Sequence, residues 1–382
     1  MSKHRVLFIA PAANLGGAER CLLETLKCLD RERFEPSVLF LEDGPLLDAV
    51  RPHAAAVEIL ELPLALSRAG EQGSGLGDKL KMGISLLGFL QKLRQVLARL
   101  QPHILHANGI KAQLLSSLAK PRRCRLVWHI HDYISLRSTS RKLLLRQARK
   151  CDLAICNSRS VKEDFQKVCP NVPTTTVYNA FEVGPDVPRP PARLLRIGLV
   201  GTYAKWKGHT LFLEAISEEP DAFRDRGLQF SIIGGPVYLT PGSQVTLSDL
   251  EATAQRHAIT DIVDFHGFEA DLAAVYSKLD VLVNASTQSE PFGRTLIEAM
   301  TYGKPVIAPA EGGPLEILMD GVTGFHFKPR DAKSLAQTIL RAVDHADVPG
   351  LVEAAHRNAL ERFSHKMLTR EMSTAYDVLD AK

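Results

Sequence analysis

Across 382 residues no apolar run approaches the roughly 18 consecutive residues that a membrane-spanning helix needs. The opening MSKHRVLFIAP is too short in apolar residues for a secretory leader; its run stops at Pro11 and reads as a buried first strand. These two absences predict a cytoplasmic chain, at most peripheral to the inner face of a membrane. Cysteine is scarce too: the six residues all fall in the first half, and neither close pair, Cys21/Cys28 or Cys151/Cys156, has C-x-x-C spacing. Zinc and dithiol-redox frameworks are thereby disfavoured, and reduced thiols in a cytosolic protein are the simplest account. The loop after the first strand, PAANLGGAER, lacks the G-x-G-x-x-G order of a dinucleotide fingerprint. The glycine-rich AGEQGSGLG, residues 69–77, has no Gly-Lys-Ser/Thr after it, so it reads as a flexible loop rather than a phosphate loop. No D-x-D cluster is placed to hold a metal, and neither metal nor cofactor is expected.

What is present is ordinary for a globular protein, with 45% hydrophobic and 24% charged residues. The charge is unevenly placed. Residues 1–190 carry 28 Lys+Arg against 18 Asp+Glu, a net of +10, which leaves −6 for the remainder. A basic front half suits an anionic membrane surface or an acidic acceptor; a nucleic-acid partner is not expected.

Strand-like runs alternate with helical patterns throughout. RVLFIA, EPSVLFL, HILHAN, RLVWHI and DLAICNS serve the first half, and RIGLVG, QFSIIGG, IVDFHG, DVLVNAS and KPVIAPA the second. Continuous rather than alternating apolarity points to parallel strands buried on both faces, joined by helices in βαβ units. The proline-rich VGPDVPRPPAR, residues 183–193, is the linker candidate. The expected architecture is α/β: two doubly wound domains, 1–185 and 186–382, facing across a cleft, with the C-terminal helix, about 366–382, a candidate to pack back on the first. The segment 78–100 spaces Leu86, Leu90, Leu93, Leu97 and Leu100 as a helical stripe among basic residues. Such a face can lie on a membrane or be domain core.

The stretch SEPFGRTLIEAMTYGKPVIAP, residues 289–309, holds Glu290 and Glu298 on either side of a Pro/Gly turn. Leu296, Ile297, Ala299 and Met300 have helical spacing, so the helix begins near Arg294, with Glu298 about one turn inside it. A helix start favours an anion, and amides of Phe292, Gly293, Arg294 and Thr295 are placed to cradle a phosphate. Carboxylates beside a phosphate cannot be its ligands; they would accept hydrogen bonds from hydroxyls on either side of it. Ribose, diphosphate and sugar, the layout of a nucleotide sugar, meet that demand. The competing reading is an exposed helix glutamate and an unrelated loop glutamate.

Other motifs fit around this one. GLVGTYAKWKGH, residues 198–209, puts Lys205 and Lys207 just after the first strand of the second half, within reach of a diphosphate at the 294 helix. Gly16 and Gly17 open the first helix, where backbone can approach a ligand closely. WHIHDY sets His129 and His131 on one face at a strand end, where a histidine can bond a sugar hydroxyl or serve structurally.

The order GGAER, HIHDY, ICNS, VYNAF, GTYAKWKGH, DFHGF and DVLVNASTQSEPFGRTLIEAMTYGKPVIAPAEGGPLEILMDGVTGF resembles the retaining GT-B glycosyltransferases of family 4, nearly end to end and most strongly over residues 280–325. The resemblance implies two Rossmann-like domains, an acceptor-binding first and a donor-binding second. It also implies transfer of a hexosyl group from a nucleotide diphosphate sugar to a glycan or lipid-linked acceptor. By the same resemblance Glu298 binds the ribose hydroxyls, Glu290 touches the donor sugar, Lys207 contacts the diphosphate and His131 lies near the sugar's hydroxymethyl side. Gly16 and Gly17 match the glycine loop between donor phosphate and acceptor, and Gly267 and Phe268 lie where the nucleobase stacks.

Two positions depart from the pattern: Thr202 stands where the family commonly has an arginine beside the lysine, and Ala180 where it often has glycine. Lys205 or Arg294 would have to replace the missing charge. A sugar-nucleotide epimerase or phosphorylase on the same fold, or a non-catalytic nucleotide-sugar-binding member, are the alternatives.

Overall fold

The structure, a computed structural model, describes residues 3–13, 16–67, 76–184, 186–236 and 243–380. It divides into two compact units, Met1–Ala180 with His365–Lys382, and Phe181–Ser364. The boundary falls a few residues before 185/186, and the C-terminal helix, His365–Asp380, groups with the first unit despite its place in the chain. The proline-rich stretch 183–193 carries no helix or strand among its described residues.

Among the described residues unit 1 holds seven strands: β1 (His4–Ala10), β2 (Phe34–Phe40), β3 (Ala56–Ile59), β4 (Ile104–Asn108), β5 (Arg125–Ile130), β6 (Leu153–Cys156) and β7 (Thr174–Thr176). All pair in parallel, in the order β3-β2-β1-β4-β5-β6-β7. The continuous apolarity of β1 is explained by its two covered faces. Val6, Phe8 and Ala10 point into one core with Leu22 and Leu26 of the helix Gly17–Cys28 and Met372 and Tyr376 of the C-terminal helix. Leu7 and Ile9 point into the other, with Leu90, Leu93 and Leu97 of the helix Leu76–Leu100. The leucine stripe of that helix is therefore core, with Leu86 and Leu100 packed at its margin. The expected loop at 69–77 lies outside the described residues up to 75; the helix is already formed at Leu76. All six cysteines are buried and unbridged.

Unit 2 repeats the plan with six parallel strands among its described residues: β8 (Arg196–Val200), β9 (Gln229–Ile233), β10 (Val263–His266), β11 (Val281–Val283), β12 (Val306–Pro309) and β13 (Phe325–Phe327). Their order is β10-β9-β8-β11-β12-β13. In each sheet the order reverses beside the first strand, between β1 and β4 and between β8 and β11. Connections leaving adjacent strands in opposite directions leave a crevice at their carboxyl ends, where doubly wound sheets take ligands. No helix among the described residues is long and apolar enough to cross a membrane.

Candidate active site

The reversal in unit 2 brings together two loops far apart in sequence. The turn Lys205–Lys207 follows β8, and residues 284–293 follow β11. Lys207 Nζ donates to Glu290 Oε2 at 2.7 Å, and Ser286 Oγ donates to the same oxygen at 3.1 Å. Burial works against ionisation of Glu290, but the charge and hydrogen bond of Lys207, with donors from Ser286 and Asn284, outweigh it and hold the carboxyl below its usual range. The loops are stitched by backbone: Thr287 N–H donates to the Trp206 carbonyl at 2.9 Å and Gly313 N–H to the Glu290 carbonyl at 2.8 Å. Gly208 is indispensable to this approach; at φ 74° it sits so close that a Cβ would lie 1.7 Å from the Ala285 oxygen.

The helix Arg294–Thr301 begins where expected. Gly293 precedes it at φ 101°, and no side chain caps its first turn. Phe292 is buried behind that turn. Glu298 is only 6% exposed, which excludes the reading of a solvated helix glutamate. Its Oε1 accepts from Arg294 Nη2 at 3.1 Å and its Oε2 from the Tyr276 hydroxyl at 3.3 Å. Burial and the Glu298 charge push the tyrosine well above its ordinary range, so it stays a donor. The same hydroxyl reaches the Thr295 carbonyl at 3.2 Å, and its ring stacks on Tyr302 at 4.9 Å.

This arrangement assigns the spare cations. Arg294 is paired with Glu298 at 3.1 Å. Lys205 is exposed in the same turn as Lys207. The Thr202 hydroxyl is buried without a partner. His209, buried beyond Gly208, is driven down to about 4 by burial and then by the Lys207 charge, and is neutral. Gly267 and Phe268 follow β10, and Phe268 is 61% exposed, a flat apolar face at the strand ends.

Unit 1 carries a second group at its own reversal. Gly16 starts the helix Gly17–Cys28 without a side-chain cap, and a Cβ on Gly17 would meet open space. Asn108, buried at the end of β4, ties this helix to the neighbouring strand: its Nδ2 donates to the Ala18 carbonyl at 3.4 Å, and its Oδ1 accepts from His131 Nε2 at 2.5 Å. The amide oxygen can only accept, which fixes the His131 proton on Nε2. His129 turns inward, its Nδ1 3.1 Å from His106 Nε2, whose Nδ1 lies 2.8 Å from the Tyr376 hydroxyl. Of the two strand-end histidines, His129 is therefore structural and His131 is held beside the glycine loop. Burial drives His131 down to about 4, against the pull of Asp132; burial, then the His131 charge, drives His106 to about 3.

Four contributors had no signal in spacing: Asn108, Ser286, Tyr276 and Arg330. Arg330 adopts φ 59°, rare for a residue with a side chain, and forks onto Glu311 at 2.6 and 3.0 Å while Nη1 reaches the Thr287 carbonyl at 3.3 Å. It braces the loop that carries Ser286 and Glu290. Among the described residues no group of three or more His, Cys, Asp or Glu is placed to hold a metal ion.

Over 172 residues the chain is 31% identical to a sucrose synthase of Acidithiobacillus caldus, a match covering 38% of this chain and 21% of that protein. Over 151 residues it is 32% identical to a 2-deoxystreptamine glucosyltransferase of Streptomyces kanamyceticus, covering 39% and 36%. The matches thus span well under half the length of either relative. The fold is shared over nearly the whole length with Anabaena Alr3699/HepE, solved in complex with UDP-glucose: TM-score 0.79, 23% identity, 98% of this chain and 99% of that one. Residues 15–184 match the model for Glycosyltransferase Family 4 and residues 188–361 that for Glycosyl transferases group 1. The chain belongs to the group 1 glycosyltransferases, with the GT-B fold.

Proposed function

We propose that the protein transfers a hexosyl group from a nucleotide diphosphate sugar to an acceptor hydroxyl with retention of configuration, in polysaccharide or glycolipid synthesis. The observation that carries this reading is the half-buried Lys207–Glu290 pair beside an uncapped helix start, with Glu298 buried one turn further on. Without ligand the acids and cations neutralise one another. A diphosphate arriving at the 294 helix offers Lys207 a second anion, and the amides of Gly293, Arg294 and Thr295 point where it would lie. Departure of the nucleotide builds charge on the bridging oxygen, which Lys207 and the helix start stabilise without reorganisation. Glu290, ionised, orients the sugar, and Glu298 takes the ribose hydroxyls. Phe268, with Gly267, offers the base a stacking surface. We assign the acceptor, a glycan or lipid-linked hydroxyl, to unit 1, whose Gly16–Gly17 loop is the backbone partner of donor phosphate and acceptor and whose His131 is the partner of the sugar's hydroxymethyl group. No metal or cofactor is assigned.

UDP-glucose is the first donor to test, given the solved neighbour and the glucosyltransferase relative. Nucleotide release from UDP-, GDP- and ADP-sugars, with and without acceptor glycans, tests the proposal, and NMR of the product reads its anomeric configuration. Release that depends on acceptor, with retention, is expected; an inverted product, or isomerised donor without transfer, overturns it. Thr202, standing where the family resemblance calls for an arginine beside the lysine, favours one other reading, a non-catalytic member. Tight donor binding with no release from any donor would establish that instead.

A further inference from the structure

The basic helix Leu76–Leu100 spends its leucine stripe on the core, but unit 1 presents another cationic face. Residues 133–151 contain six cations, Arg137, Arg141, Lys142, Arg146, Arg149 and Lys150, and no carboxylate. The helix Ser138–Gln147 lies within this run and is fixed by Leu144, which is fully buried. At about 100° per residue, Lys142 and Arg146 point opposite Leu144, and Leu143 and Leu145 flank them. The leucines are 44% and 45% exposed, and Leu136, just ahead of the helix, is 68% exposed.

We propose that this face seats unit 1 on an anionic lipid bilayer. Two of the cations are already engaged, Arg137 with Asp132 at 3.0 Å and Lys150 with the Ser117 carbonyl at 2.9 Å. Lys142, Arg146 and Arg149 enter no ion pair among the described residues. Leucines flanking long cationic stems match the boundary of a bilayer, where apolar side chains enter the acyl region and ammonium or guanidinium groups reach lipid phosphates. An acidic protein surface would match the cations and leave the leucines unexplained. The proposal deepens the assignment of a lipid-linked acceptor and rests on it for its biological purpose. The contact itself needs no donor, so failure of one is distinguishable from failure of the other.

The test is co-sedimentation of the full chain with vesicles of phosphatidylcholine alone or mixed with phosphatidylglycerol, at low and high salt. Binding only to the phosphatidylglycerol vesicles, weakening with salt, is expected. A cation near an anionic surface contributes roughly fivefold in affinity, so Lys142→Glu with Arg146→Glu should cost at least roughly 25-fold. Leu143→Ser with Leu145→Ser should cost roughly tenfold. A control reversal at two other exposed unit 1 cations, Arg122→Glu with Arg123→Glu, should stay within about twofold. Circular dichroism melts verify that each variant is folded. No sedimentation of the wild type, equal binding to both vesicle types, or equal loss in the control pair would overturn the proposal.

Discussion

The two units place polar side chains at the same point of the same topology and neutralise them in opposite ways. Unit 2 holds half-buried ions in pairs, Lys207 with Glu290 and Arg294 with the buried Glu298. Unit 1 buries uncharged hydrogen-bonding groups, the series Tyr376–His106–His129 and the His131–Asn108 pair. The difference is instructive about ligands. A paired ion can exchange its partner for a charged group at little cost in desolvation already met, which suits a pyrophosphate. A neutral imidazole or amide offers direction without charge, which suits hydroxyls.

Acid breaks the comparison most strongly. His106 and His131, with ionisation pushed down to about 3 and about 4, stay neutral in the fold, as does His129, held well below its ordinary 6.5 by burial, then by His131 and His106. Below pH 6.5 the unfolded chain takes up protons that these folded imidazoles refuse. Stability therefore falls with pH, by about 1.4 kcal/mol per pH unit for each histidine, until the folded values are reached. Among the described residues of unit 2 there is one counterpart, His209, at about 4. The two tryptophans report separately, Trp128 in β5 and Trp206 in the lysine turn. Acid titration followed by fluorescence should show Trp128, in a Trp206→Phe protein, losing its buried emission at higher pH than Trp206 in a Trp128→Phe protein. Coincident transitions would show that the neutral histidines do not set the acid limit.

Removal of Lys207 is next in size. Lys207→Ala should lower turnover roughly a hundredfold or more, since the charge acts on the departing diphosphate. Burial is then the chief influence on Glu290, so its ionisation moves up and the acid limb of the pH–rate profile moves with it. An unchanged turnover would take the lysine out of the chemistry.

Arg330 sharpens the contrast within unit 2, because it reaches no proposed ligand and acts only by bracing the Glu290 loop. Arg330→Gly relieves the positive φ while deleting the brace, so the melting temperature should hold while kcat falls roughly tenfold. Arg330→Lys, unable to fork onto Glu311, should fall similarly. A variant that loses stability and activity together would assign the residue to the fold alone.

How far these features were legible beforehand follows from sequence separation. The strands, the helix start at 294 and the Lys207 turn are local: apolar runs, a Pro/Gly turn before helical spacing, a lysine pair after a strand. Asn108 to Ala18, Tyr276 to Glu298 and Arg330 to Thr287 are contacts 90, 22 and 43 residues apart. Each is made by a residue whose immediate neighbours carry no periodic or motif signal. The leucine stripe of 78–100 was legible as a face, but periodicity is the same whether a face meets lipid or a β-sheet. The tie of Arg294 to Glu298 was readable as an i, i+4 pair.

Tyr276 gives the smallest and most discriminating effect. Its hydroxyl is shared between Glu298 and the Thr295 carbonyl, and Tyr276→Phe keeps the ring stacked on Tyr302 while deleting that donor. A single neutral donor to a charged acceptor is worth about 1.5 kcal/mol, and here it is split between two acceptors at 3.2 and 3.3 Å. The loss should be a few-fold. If Glu298 holds the ribose, its grip is equal in ground and transition states, so the change belongs in the donor KM with kcat untouched. Lys207→Ala should do the reverse, because the charge it meets grows only as the bond breaks. Steady-state kinetics on both variants separates the roles: a fall in kcat for Tyr276→Phe would move Glu298 from the binding of the nucleotide into the chemistry at the sugar, and the division of labour along the 294 helix would be lost.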